Sequence, residues 1–120
     1  MRYFKKEEAE ALIPKLEEIF AQAAAIMARG EDKARKAERL KDAVAQEIAR
    51  AQLRGLAVEV EGLLGKIADL GAVPKGLSPA LVDFPARVEG KEAYLCWKLG
   101  EKTITHWHGL EEGFAGRRPL

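Results

Sequence analysis

The stretch LVDFPARVEGKEAYLCWKL, residues 81–99, decides the fold. Apolar and polar side chains alternate on both sides of Glu89-Gly90, and this alternation is typical of strands with one buried face. The Glu-Gly pair itself has the length and composition of a two-residue hairpin loop. We therefore predict two antiparallel strands, Leu81–Val88 and Ala93–Leu99, joined by that loop.

A third strand is predicted over Thr103–Trp107, after a second two-residue loop at Gly100-Glu101. With both loops two residues long, one face of the sheet is almost wholly apolar and packs on the helices. The opposite face is predicted to hold a row of Asp83, Cys96 and Thr105 beside an apolar platform of Pro85, Tyr94 and Trp107. Such a platform is covered by the C-terminal tail or by a second subunit, or it binds a flat ligand.

Upstream of the sheet, apolar residues recur every three or four positions, the period of amphipathic helices. One helix is predicted from Lys6 to Arg29, with a bend or restart at Pro14 and an end at Gly30. Another runs from about Asp32 to Leu70, and residues 71–79 form a turn-rich linker to the sheet. The fold class is α+β, a long antiparallel helical hairpin packed against a small three-stranded antiparallel β-meander.

The second predicted helix is too long for its partner. It would extend to about 60 Å, against about 36 Å for the first helix. Either it breaks near Gly62 and Gly65, or its overhang packs on another subunit. Glycines on a buried stripe allow another backbone to approach closely. The predicted buried stripe of this helix is Ala37, Leu40, Val44, Ile48, Ala51, Gly55, Val58 and Gly62, continued by Leu63, Ile67 and Leu70.

The composition bounds the class of protein. The chain of 120 residues is the size of one domain, with a tail over 109–120, and its 20 basic and 19 acidic side chains argue against a general nucleic-acid binder. The single cysteine excludes an internal disulfide. No secretion signal and no apolar run of about 20 residues is present, so we expect a cytoplasmic protein without a membrane partner. The 32% of charged residues is typical of a thermophilic source.

The candidate site residues are concentrated after Asp83. His106 and His108 alternate on a strand and would reach one metal ion with Glu111 or Glu112, yet the predicted register turns both imidazoles toward the helices. Cys96 is expected to be an inert half-buried thiol. The ligand-binding candidates are Asp83, Tyr94, Cys96, Trp107, His108 and Arg117. No catalytic residue is assigned, because the chain has no phosphate loop, HExxH or GxSxG motif.

Four segments carry a resemblance: LVDFPA at 81–86, YLCWKLGE at 94–101, WH at 107–108 and GFAGR at 113–117. With them the chain resembles the bacterial domain-of-unknown-function family numbered 2203. The resemblance implies no activity, substrate or cofactor. The family pattern takes in Asp83, Cys96, Trp97, Trp107, His108, Gly116 and Arg117 but not His106. The chain departs from it at Lys5, where a helix-capping Thr is usual, and at Lys75-Gly76, where Lys-Asp is usual.

Two functions follow from these patterns. The first is a non-enzymatic interaction module that forms a homodimer, motivated by the over-long second helix and the apolar sheet platform. The alternative is a small-ligand or metal site built from His108, Asp83 and Arg117 with Glu111 or Glu112, for which metal-dependent hydrolysis is the enzymatic version. No nucleic-acid partner is expected, and no cofactor is implied beyond a divalent metal.

Overall fold

A computed structural model describes residues 2–120, which form two long helices packed against a five-stranded antiparallel sheet. The α+β class is confirmed, while the prediction of three strands is wrong because the sheet gains a strand at each edge. Strands β1 to β5 lie side by side in chain order. The elements are α1 Lys6–Ala11, α2 Ile13–Ala37, α3 Ala43–Asp69, β1 Val73–Leu77, β2 Ala80–Val88, β3 Lys91–Lys98, β4 His106–Gly109 and β5 Arg118–Pro119.

The first helix restarts at Pro14, as the sequence predicts. Helix α1 ends at Ala11 and α2 begins at Ile13, so that Pro14 lies in the first turn of α2. A proline is tolerated there because the first turn of a helix has no internal partner for its N–H groups. The apolar residues that recur every three or four positions along α2 are buried, with Leu16 at 0% exposure and Phe20 at 3%.

Gly30 does not end the helix, contrary to the prediction. Helix α2 continues to Ala37, and Asp32 lies inside it, paired with Lys36 at 3.0 Å. An interior glycine costs about 1 kcal/mol relative to alanine, which a long helix with ion pairs one turn apart tolerates. Helix α3 therefore begins only after Asp42, whose carboxylate accepts the Ala45 N–H at 3.2 Å as an N-cap.

The predicted length mismatch between the two helices is therefore wrong. Helix α2 has 25 residues and α3 has 27, because the connection lies at Glu38–Asp42 rather than at Gly30. Helix α3 is also continuous through Gly62 and Gly65. The length of the second helix therefore gives no reason to expect self-association.

Most of the predicted stripe on α3 faces outward in the single chain. Val44, Ile48 and Val58 are 66%, 55% and 65% exposed, and Gly55 and Gly62 have nothing within 4 Å of an added Cβ. The face packed toward α2 and the sheet consists of Ala49, Leu53, Leu56, Val60, Leu63 and Ile67. Helix α3 carries two apolar stripes, and their periodicity is the same, so the sequence pattern could not tell which one faces α2.

The predicted linker contains strand β1. It pairs antiparallel with β2, with Leu77 opposite Ala80 and Val73 opposite Asp83. Its Pro74 is compatible with an edge strand, which needs fewer backbone donors. Gly76 lies where the register of the pair shifts, and an added Cβ there would meet the Pro79 carbonyl oxygen at 2.9 Å.

The first predicted hairpin register is confirmed and the second is wrong. Val82 lies opposite Trp97 and Asp83 opposite Cys96, as two-residue loop geometry requires. Strand β4, however, begins at His106, and Leu95 lies opposite Trp107 instead of His106. The connection from β3 to β4 is long rather than two residues, because Ile104 leaves the strand path and is fully buried in the core. A shift of one residue exchanges the two faces of a strand.

The core lies between the sheet and the half of the helical hairpin nearest to it. Its contributors include Leu16 and Phe20 of α2 and Ile67 of α3, and the Phe20 ring lies 6.1 Å from that of Trp97. The rest of the hairpin, residues 27–62, extends away from this core, and we call it the arm. The molecule measures 60 × 25 × 24 Å.

Candidate functional site

The one-residue shift in β4 brings Asp83, Cys96 and His108 together on the outer face of the sheet. Asp83 lies on β2, Cys96 opposite it on β3, and His108 on β4. One carboxylate oxygen, the Cys96 Sγ and one ring nitrogen all lie within 4.8 Å of one another. The three residues are 3%, 1% and 2% exposed, so the cluster is closed to solvent.

Both ring nitrogens of His108 have partners. Nδ1 lies 2.8 Å from the Gly109 carbonyl oxygen, and Nε2 lies 3.0 Å from Asp83 Oδ1. Because a carbonyl oxygen only accepts hydrogen bonds, Nδ1 carries a proton and donates it. Nε2 is thus the nitrogen that faces the cluster, either as a second donor to the Asp83 carboxylate or as an acceptor from a protonated Asp83 carboxyl.

Cys96 is an unreactive thiol in this environment. Burial raises its pKa to about 11, and the neighbouring Asp83 carboxylate raises it in the same direction. The thiolate is the nucleophile and the metal ligand, so a raised pKa excludes spontaneous nucleophilic chemistry near neutral pH. A bound metal cation has the opposite effect on the thiol, because it stabilises the thiolate directly and so favours loss of the proton.

Arg117 lies beside the cluster and is fixed by an acidic partner that the sequence analysis did not single out. Its Nη2 donates to Glu101 Oε2 at 2.7 Å and lies 3.5 Å from the Cys96 carbonyl oxygen. The guanidinium also packs over the Phe114 ring at 4.8 Å, while its Nε has no hydrogen-bond partner within the described chain. Glu101 appeared in the sequence only as a loop residue, so nothing local marked it as the partner of Arg117.

The other candidate residues are separated by the shift. Tyr94 remains on the outer face, with its ring centroid 5.5 Å from that of His108, but Trp107 turns inward and packs against the core. Asp83 is buried in the cluster and Thr105 precedes the strand. The predicted platform of Pro85, Tyr94 and Trp107 is therefore not formed.

Among the residues proposed from sequence for a metal site, His108 and Asp83 belong to the cluster, while His106, Glu111 and Glu112 do not. His106 Nδ1 lies 2.8 Å from Thr105 Oγ1. Glu112 accepts the Gly109 N–H at 2.8 Å and pairs with Arg118. The Gly109 hydrogen bond and then Arg118 lower the pKa of the Glu112 carboxyl, which acts as a turn cap. Glu111 is exposed.

All three cluster residues were candidates from the sequence, but they were not predicted to lie together. The confirmed β2–β3 register already placed Asp83 opposite Cys96. The assumption of a two-residue second loop then moved His108 to the wrong face. The predicted register was itself improbable, because it would have buried two histidines on the helix-facing side without hydrogen-bond partners.

A family model, described as an uncharacterised conserved protein family, DUF2203, matches residues 2–120. The chain belongs to the DUF2203 family. The resemblance seen in the sequence is thereby confirmed over essentially the whole chain. A search of curated proteins and a search of solved structures each found no match. Within the part of this DUF2203 chain that the structure describes, no helix is both long and apolar enough to cross a membrane.

Proposed function

We propose that this DUF2203 protein is a homo-oligomeric interaction module whose arm packs on the arm of a second copy. The observation that carries the proposal is the low burial of the arm, in which Ala49, 7% exposed, is the only buried residue among residues 27–62. Two helices that bury so little between them gain little stability from packing, and most helical stability in proteins comes from a packed apolar face. A second copy supplies the missing packing.

The surface that meets the second copy is the exposed stripe of α3. It runs along the helix at alternating steps of four and three residues, which is the spacing of a coiled-coil seam. Three of its members are bulky apolar side chains more than half exposed, at Val44, Ile48 and Val58. The others are small, namely Ala51, Gly55, Gly62 and Gly65, and they leave open space above the backbone.

An antiparallel arrangement fits this mixture of large and small residues. With Gly55 opposite the partner's Val58, Ile48 lies opposite the partner's Gly65, so Ile48 and Val58 each face a glycine. Ala51 then lies opposite the partner's Gly62. The seam from position 48 to 65 is about 26 Å long. In a parallel pair, identical residues would meet, and glycine would face glycine at three levels.

The charges beside the seam support the same arrangement. In an antiparallel pair, Arg54 lies next to the partner's Glu61, and the two-fold axis repeats this contact. Arg54 is 65% exposed and bonds only within its own helix, to Glu47 at 3.2 Å. Complementary charges at the edges of a helical seam set partner orientation more than they set affinity. The occupant that fits the stripe in both shape and charge is a second copy of α3.

Sedimentation velocity or light scattering at tens of micromolar tests the proposal. The wild type is expected to be a dimer, and Ile48→Glu is expected to weaken dimerisation by at least about 100-fold because a charge replaces a seam side chain. Leu110→Glu is the matched control, since Leu110 is 51% exposed and follows β4 on the sheet rather than lying on α3. A monomeric wild type, or a dimer that both variants leave intact, would contradict the proposal.

Cysteine cross-linking tests the orientation. The double variant Ala51→Cys/Gly62→Cys is expected to form cross-linked dimers, because positions 51 and 62 face each other across an antiparallel seam. Ala51→Cys alone is expected not to cross-link, since its copies lie well apart. Cross-linking by the single variant at the rate of the double variant would mean a parallel pair.

The alternative function on the sheet gains support as a binding site rather than as an enzyme. A metal-dependent hydrolase needs an open ligand position that substrate can reach. The three donors are at most 3% exposed, which favours a closed site. The hydrolytic version is therefore not proposed.

A further inference from the structure

We propose that Asp83, Cys96 and His108 bind one transition-metal ion of the zinc type, which ties strands β2, β3 and β4 together. The proposal is independent of self-association, because the cluster lies on the sheet and the seam lies on α3. It shares His108 and Asp83 with the sites expected from sequence, but it uses Cys96 in place of His106 and the glutamates.

The first support is the donor set and its spacing. Carboxylate, thiolate and imidazole are the three zinc ligand types of proteins, with metal–ligand distances of about 2.0–2.3 Å. Tetrahedral donors at those distances are separated by about 3.3–3.7 Å. The His108 Nε2 to Asp83 Oδ1 distance is 3.0 Å, and all three donor atoms lie within 4.8 Å of one another. Small side-chain movements are enough to enclose an ion.

The second support is the orientation of His108. A metal-bound histidine almost always donates its other ring N–H to a carboxylate, a backbone carbonyl or water, which fixes the ring and its tautomer. In this protein Nδ1 donates to the Gly109 carbonyl at 2.8 Å, so Nε2 points into the cluster. The hydrogen bond that orients a metal-bound histidine is therefore already in place.

The third support is charge. In the absence of a cation, Asp83 and His108 are either an ion pair fully removed from water or a pair in which the carboxyl is protonated, and burial of charge is costly. A divalent ion bound to the Asp83 carboxylate, the Cys96 thiolate and a neutral His108 makes a site with zero net charge. On binding, two protons leave to solvent, one from the Cys96 thiol and one that Asp83 and His108 share, and the electron pairs of the sulfur and of Nε2 form bonds to the metal. No oxidant or reductant is involved.

Three protein ligands leave one tetrahedral position, which a water molecule can fill. Because the donors are buried, the ion is expected to stabilise the sheet rather than to meet a substrate. Three strands are joined through one ion, so binding is coupled to the packing of the whole outer face.

The test uses Co²⁺ and Zn²⁺ with the purified full chain, made without an affinity tag. One equivalent of Co²⁺ is expected to bind and to give the near-ultraviolet absorption of a thiolate–cobalt bond, and one equivalent of Zn²⁺ is expected to abolish it and raise the Tm. Cys96→Ser keeps the side-chain volume nearly unchanged and is expected to lose that absorption. Absence of the band in the wild type, with no Tm change on adding Zn²⁺, would overturn the proposal.

A histidine pair provides the matched control. His108→Ala is expected to weaken Co²⁺ binding by at least about 100-fold, whereas His106→Ala, on the same strand but outside the cluster, is expected to bind as the wild type does. Equal weakening in both variants, or in neither, would assign the metal to another site. Circular dichroism of the metal-free variants checks that each is folded, and Asp83→Asn supplies a second, nearly isosteric ligand variant.

Discussion

At the residue scale, Arg117 is a cationic side chain that the fold largely encloses. It is 12% exposed and its partner Glu101 is 25% exposed. Removing one member of such a pair leaves the other charge partly buried without compensation. We expect Arg117→Ala to lower the free energy of unfolding by about 2 kcal/mol, discounted from the buried-pair range because solvent reaches both groups.

Chemical denaturation measures this effect, with Arg35→Ala as the control. Arg35 is 67% exposed and pairs with Asp32 at 3.6 Å on the helix surface. Exposed pairs of this kind contribute less than about 1 kcal/mol. Equal losses in the two variants would mean that the enclosure of Arg117 has no energetic consequence.

The Cys96 thiol gives a second prediction at this scale, for the metal-free protein. Burial raises its pKa from 9.0 to about 11. Between these two pH values the folded protein therefore keeps the thiol proton, while the unfolded chain loses it. The contribution of the buried thiol to the free energy of unfolding is therefore complete below pH 9 and is lost as the pH rises toward 11. Reaction with a thiol reagent at pH 8 should be far slower in the folded protein than in denaturant. Equal rates would contradict the assignment of a buried neutral thiol.

At the scale of elements, the loop between β3 and β4 decides which residues share the outer face. Ile104 is fully buried, and its backbone N–H donates to Glu10 Oε2 at 2.9 Å. The loop is thus pinned to the core and to α1, and β4 begins only at His106. The face that β4 presents follows from this anchoring rather than from a tight turn.

Ile104→Ala is expected to cost about 3 kcal/mol of unfolding free energy, within the range for truncating buried aliphatic side chains. Leu110→Ala, just after β4 and 51% exposed, is expected to cost less than about 1 kcal/mol. Thermal or chemical unfolding compares them. Similar losses would show that Ile104 does not anchor the loop.

At the scale of the whole molecule, stability is unevenly distributed. The sheet and the nearby helix turns contain nearly all buried side chains, while the arm contains only Ala49. Regions with few buried contacts open locally at low free-energy cost. In the proposed dimer the arm is protected by its partner, so its opening depends on association.

Hydrogen exchange at the backbone amides measures this coupling. Ile48→Glu is expected to speed exchange in the arm by at least about tenfold, while amides of β2 and β3 keep their protection. Leu110→Glu serves again as the control. An arm that stays protected in a monomeric variant would be stable by itself, and the burial argument for a dimer would fail.

The sequence by itself determined the α+β class, the restart at Pro14, the first hairpin and the pairing of Asp83 with Cys96. These features depend on local periodicity, proline chemistry and a tight turn, all of which are encoded within a few residues. Only the tertiary structure decided that Gly30 lies inside a helix, which stripe of α3 faces α2, and which face β4 presents. In each of these three cases the local sequence is compatible with two arrangements. The difference in free energy between the two arrangements comes from contacts between residues that are distant in sequence. The burial of Ile104 is such a contact, and it brings His108 to Asp83 and Cys96.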